Sequence, residues 1–212
     1  MKTIEIECRT ITEWKEHDEA IYEKIMEKYR DINVDNDHWS EFVLEMWADK
    51  LETFGYDVKE MKTNRKGHQY EAINISYSGF WSQGDGSSFT GEIDVDKWIS
   101  INDIAGKYRR IQKLIQSGDI DIQQSKITRN GCHYVHERST TVNIDWITRK
   151  DTPNIDGLMD KLVQAIEGDH ISLNREIYRD LEKEYESEIC EESVEATLEA
   201  NEYEFDETGR IQ

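Results

Sequence analysis

Between Asp180 and Gln212 the chain places 13 acidic side chains against Lys183 and Arg210 alone. No other feature limits its folding as strongly. If this stretch is helical, Glu182 meets Glu186 and Glu184 meets Glu188 at i,i+4, and each like-charge pair destabilises an isolated helix by roughly 0.2–0.5 kcal/mol. Such a helix persists only where tertiary packing offsets the repulsion. The stripe Ile177, Leu181, Tyr185 and Ile189 repeats at the same interval and is the apolar seam available for that packing. The end of the chain is therefore expected to be helical, acidic outside and held to a core along one narrow line.

The whole chain has 212 residues with 46 acidic and 26 basic side chains, a formal net charge of −20. By segment, residues 1–96 carry 22 acidic and 11 basic groups, 97–150 carry 5 and 10, and 151–212 carry 19 and 5. An excess of this size repels phosphate backbones and anionic lipid, so direct nucleic-acid binding and a membrane-surface role are unfavoured. No run of about 18 apolar residues could span a bilayer, and the N-terminus lacks the apolar stretch of a secretion signal. The three cysteines, Cys8, Cys132 and Cys190, are odd in number and far apart, which points to reduced thiols and a cytoplasmic protein.

Apolar spacing predicts helices over 12–29, 37–54 and 97–116, and then over 155–166, 172–190 and 194–202. Strands are expected at 4–7, 56–62, 69–80 and 88–95, with Asn64 to Gly67 as a hairpin turn. A second hairpin over 119–147 is expected to turn tightly at Asn130-Gly131, a dipeptide suited to positive φ at both positions. The tail from Tyr203 onward is expected to add a turn or short strand. These elements imply an α+β fold: an antiparallel sheet packed by helices, followed by a helical acidic C-terminal part. The expected division is a core domain, 1–150, and an acidic helical segment, 151–212, packed on it, with the boundary near Asp151 to Asn154 around the only proline, Pro153.

The densest local signal is the loop Trp81, Ser82, Gln83, Gly84, Asp85, Gly86, Ser87 and Ser88, bracketed by Tyr77, Phe80 and Phe89. Backbone N–H groups of Gly84 and Gly86, with the serine hydroxyls, could form an anion nest, although Asp85 opposes a phosphate there. The competing reading is a structural turn in which Asp85-Gly86 supplies permissive dihedrals. The loop is neither a Walker nor a dinucleotide motif. Cys132, His133 and His136 invite a zinc reading only weakly, because on a strand 133 and 136 would point to opposite faces and no second Cys or His pair stands at a zinc-site spacing. Asp35, Asn36 and Asp37 are better read as a helix cap than as a calcium loop. His17, His38, His68 and His170 need no functional explanation. No catalytic residue, metal or cofactor is assigned, and binding is favoured over catalysis.

Two stretches, Ser78 to Phe89 (SGFWSQGDGSSF) and Asn201 to Gly209 (NEYEFDETG), resemble a family of small acidic proteins encoded by phages and prophages, some labelled antitoxin-like. The resemblance implies a viral accessory role in a bacterial host cytoplasm and transfers no catalytic residues. The leading expectation is a counter-defence inhibitor that binds a basic surface of a host protein, as a DNA mimic in its sharpest form. Glu182, Glu184, Glu186, Glu188, Glu191, Glu192 and Glu195 would supply the attraction, and Trp81, Gln83 and Asp85 a specific contact. The alternative is a protein that sequesters a small ligand or nucleotide signal at Ser82 to Ser88, with Arg109 and Arg110 as anion partners. A third arrangement pairs the acidic tail with Lys107, Arg109, Arg110 and Lys113, within one chain or across a homodimer.

Overall fold

The computed structural model describes residues 7–36, 38–131, 134–150 and 152–212. Among them the chain forms seven helices and antiparallel sheets, an α+β fold with a helical C-terminal region. Backbone contacts divide it into two units, residues 1–42 with 181–212 and residues 43–180. The expected division after residue 150 is thus not the one observed. Residues 151–180 cluster with the sheet, and the N-terminal 42 residues cluster with the acidic end.

In the first unit, β1 (Cys8–Thr10) pairs antiparallel with β10 (Glu204–Asp206), Arg9 lying opposite Phe205. The helix expected over 12–29 is two helices, α1 (Ile11–His17) and α2 (Glu19–Lys28). Asp18 leaves helical geometry, and its carboxylate accepts the N–H groups of Ala20 at 3.0 Å and Ile21 at 3.4 Å, so a side-chain cap outcompetes one more turn. Thr10 and Glu13 form a capping box on α1. With α7 (Glu191–Ala200), these helices enclose a core of Ile11, Trp14, Tyr22, Ile25, Val194, Leu198 and Phe205. The Trp14 indole N–H donates to the Phe205 carbonyl at 2.9 Å, which satisfies the one polar atom that ring buries. Asp206 then accepts the N–H groups of Thr208 and Arg210 and closes the terminal turn. Residues 4–6 of the expected first strand lie outside the described residues.

The second unit holds a four-stranded sheet in the order β2 (Tyr56–Asp57), β7 (Gly91–Ile93), β8 (Ile120–Arg129), β9 (Thr140–Thr148). Two hairpins accompany it, β3 (Lys59–Thr63) with β4 (Gln69–Ile73) and β5 (Ile75–Ser78) with β6 (Gly86–Phe89). The three long strands expected between 56 and 95 are six pieces. Their breaks align: Asn74 N–H donates to the Val58 carbonyl and Thr90 N–H to the Asn74 carbonyl, so all three bend at one level. Just beyond, a Cβ on Gly91 would stand 1.9 Å from the Asp57 carbonyl oxygen, so only glycine lets β7 approach β2 there.

Three further expectations are corrected in this unit. The helix over 97–116 is α4 (Val95–Asn102) and α5 (Arg109–Gln116), because the Asp103 carboxylate accepts N–H groups from Lys107 at 2.8 Å and Tyr108 at 2.6 Å and fixes a turn between them. The second hairpin does not turn at Asn130-Gly131. β9 begins at Thr140, and Asn130 closes a wider loop by donating its N–H to Ser139 and its amide to Arg138. Tyr134, His136 and Arg138 therefore sit in a connection and not on a strand face, while Cys132 and His133 lie outside the described residues. Finally, 155–166 and 172–190 are one helix, α6 (Ile155–Glu188), of 34 residues. Gly168 costs roughly 1 kcal/mol relative to alanine, but Met159, Leu162, Ile166, His170, Leu173 and Ile177 continue one buried stripe across it. Asn36 accepts the His38 N–H ahead of α3 (His38–Thr53), as a cap would; Asp37 and Asp151 lie outside the described residues. No helix among the described residues is long and apolar enough to cross a membrane.

Candidate functional site

The glutamates singled out in the sequence occupy the end of α6 and the start of α7. Leu181 and Ile189 are buried as the seam requires, and Tyr185 stacks edge-on against Trp39 with ring centroids 5.5 Å apart. Glu182, Glu184, Glu186 and Glu188 advance two residues at a time, so they form two rows on opposite flanks of α6. Among the described residues none of these four, nor Glu192, forms an ion pair. Glu195 departs from the expectation of an unneutralised array: it pairs with Lys15 at 2.6 Å, and its carboxylate holds the Lys15 ammonium above the ordinary lysine pKa. The Tyr22 hydroxyl lies 2.9 Å from Glu191 and 3.2 Å from Glu195 and donates to this carboxylate pair. Burial, and then the Glu191 hydrogen bond, pushes the Tyr22 hydroxyl up to about 12.

The unit formed by residues 1–42 and 181–212 contains 24 acidic and 8 basic side chains, a net charge of −16 out of the chain's −20. Its surface carries a groove of about 660 Å³ between α2 and α7. Its floor is the largely buried Tyr22, Ile189 and Val194, with Met26 more open beside them. Glu19, Glu23, Glu27 and Glu191 also line it, with Arg30 as the one cation. The first three repeat every four residues and so stand in one row along α2, about 6 Å apart along its axis.

The glycine loop is built as a turn. Gly86, Ser87 and Ser88 are buried in β6, and the Ser87 hydroxyl donates to the Asn174 carbonyl at 2.5 Å. Gly84 has φ +94°, and a Cβ there would lie 3.0 Å from the Tyr134 ring; one on Gly86 would lie 2.8 Å from the His136 Cβ. Both glycines are thus demanded by packing. Asp85 accepts the Ser82 N–H at 2.8 Å, turning its charge onto its own loop. The anion nest expected from Ser82 to Ser88 is corrected accordingly: its last two hydroxyls face the interior, because β6 begins two residues earlier than the spacing suggests. Trp81, Ser82 and Gln83 remain exposed. Trp81 has φ +69°, is 63% exposed, and extends an aromatic cluster in which Phe80 lies 6.2 Å from Tyr77 and 5.4 Å from Tyr178, centroid to centroid.

Beneath that loop lies a buried polar network that residue spacing did not reveal. Asn174 accepts the Phe89 N–H at 3.0 Å through Oδ1 and places Nδ2 3.0 Å from His170 Nε2. The His170 ring packs edge-on against Phe89, 4.6 Å between centroids, and burial lowers its pKa. One residue away, Asp169 accepts from the Tyr56 hydroxyl at 2.7 Å and from the Trp98 indole at 2.9 Å, and burial raises the Tyr56 pKa. These groups tie α6 to β2, β6 and α4. The available signal was the position of His170 on the same stripe as Ile166, Leu173 and Ile177.

Among the described residues no group of histidine, cysteine, aspartate and glutamate could hold a metal ion. The class so defined is an α+β protein with one strongly acidic helical unit. Residues 39–191 match the family described as Domain of unknown function (DUF8835), and the chain belongs to that family. The match covers all of the unit 43–180 but leaves α1, α2 and most of α7 outside it. No curated protein and no solved structure matches the chain.

Proposed function

We propose that the protein is an accessory inhibitor of the kind phages encode, acting in the cytoplasm of a bacterial host by holding a basic surface of a host defence or nucleic-acid-handling protein against its acidic unit. One observation carries this reading: a net charge of −16 is concentrated in 74 of the 212 residues. Clustered charge of one sign raises the local concentration of a basic partner and speeds its encounter. The partner meets one flank of α6 at a time, Glu182 with Glu186 or Glu184 with Glu188. That is one carboxylate per about 6 Å of axis, against one charge per about 1.7 Å of duplex DNA. The charge density therefore favours capture of a basic protein surface over close imitation of DNA.

The test is a pull-down from bacterial lysate at about 50 and 500 mM salt, where a bound protein should be retained at the lower concentration and lost at the higher. Reversing Glu184, Glu186, Glu188 and Glu192 to lysine should weaken that capture roughly tenfold or more. Capture indifferent to both salt and reversal would sink the proposal.

A further inference from the structure

The loop between α4 and α5 presents an isoleucine outward. Ile104 is 97% exposed, yet its loop is fixed from within: the Asp103 carboxylate holds two backbone N–H groups, the Gly106 N–H donates to the Asp103 carbonyl, and the Ile104 N–H donates to Asn102. Ile101, on the adjoining turn of α4, is also exposed. Lys107, Arg109, Arg110 and Lys113 are exposed nearby, and none forms an ion pair among the described residues; Arg110 donates only to the Pro153 carbonyl. The unit 43–180 thus carries a rigid apolar knob with four cations near it in the chain.

We propose that this knob enters the groove between α2 and α7 of a second copy of the chain. The groove offers the inverse arrangement: Met26 over a floor of the largely buried Tyr22, Ile189 and Val194, rimmed by the carboxylates of Glu19, Glu23, Glu27 and Glu191, with Arg30 the one cation in its lining. Its volume of about 660 Å³ accommodates Ile104 together with Ile101. Lys107, Arg109, Arg110 and Lys113 are opposite in sign to a groove lining with four carboxylates against Arg30 alone, so charge favours this occupant, while burying Ile104 supplies an apolar anchor. Knob and groove are different surfaces of one chain, so copies joined through them form either a reciprocal two-fold pair or a head-to-tail series.

Sedimentation velocity on the full chain at about 50 mM salt should show mass rising with concentration, and a return to monomer near 500 mM. Ile104→Asp, at a position whose exposure spares the fold, and Glu23→Lys with Glu27→Lys should each raise the dissociation constant roughly tenfold or more. The deciding measurement mixes the two variants. Each alone is monomeric, but one keeps its groove and the other its knob, so together they should form a complex that stops at two chains. A chain monomeric under every condition, association that survives Ile104→Asp, or a mixture that stays monomeric would each overturn the proposal. Capture of a host protein by the acidic unit can succeed or fail independently of these outcomes.

Discussion

At the scale of single residues, the informative positions are buried and polar. His170 is nearly inaccessible, and burial lowers its pKa below that of the unfolded chain. The unfolded state therefore binds a proton that the folded state refuses, and the stability His170 supports is present above about pH 6.5 and lost as pH falls below it. Urea unfolding of wild type and His170→Gln between pH 7.5 and 5 should diverge at the high end and converge toward the low end, with a limiting slope for one proton of about 1.4 kcal/mol per pH unit. Parallel pH profiles would show that His170 does not govern this dependence. Residue identity alone did not mark His170, Asn174 or Ser87 as one network. Ser87 and Asn174 are 87 residues apart, and only the packing of α6 under β6 joins them.

Among elements, the decisive events are competitions between side-chain caps and continued helix. Apolar periodicity located α1, α2, α4 and α5 correctly but joined them in pairs, since Asp18 and Asp103 do not interrupt the apolar stripe; they interrupt the backbone. Asp18→Ala should cost about 1 kcal/mol, read as a lower urea midpoint with an unchanged slope, while Asp18→Asn, which keeps the acceptor, should recover most of it. Equal losses in both variants would mean the cap contributes little. The reverse competition decides α6. Gly168 falls in the gap between the expected segments 155–166 and 172–190, yet a continuous buried stripe outweighs its local penalty of roughly 1 kcal/mol. At the glycine loop the expected turn is present, but β6 starts at Gly86, which turns Ser87 and Ser88 inward and removes them from any ligand's reach.

For the whole molecule, charge is the governing quantity. A unit with 24 acidic against 8 basic side chains resists its own compaction. Raising sodium chloride from about 20 to 500 mM should therefore raise the melting temperature, by roughly 2–8 °C for each kcal/mol of repulsion screened. A melting temperature that falls or stays level would mean that local pairs such as Lys15 with Glu195 dominate. The same screening should abolish capture of a basic partner, so stability and binding should respond to salt in opposite directions.

From the sequence alone came the α+β class, the acidity of the C-terminal helices, the buried seam of Leu181 and Ile189, and the turn at Asn64 to Gly67. All of these follow from periodicity, propensity or composition, which act over a few neighbouring residues. Tertiary structure alone decided that residues 1–42 cluster with 181–212, that Glu195 is neutralised while Glu192 is not, and that a fixed isoleucine and an acid-lined groove occur in one chain. Those outcomes depend on groups far apart in the chain meeting in space, and the free energy of such meetings is written in no local stretch of residues.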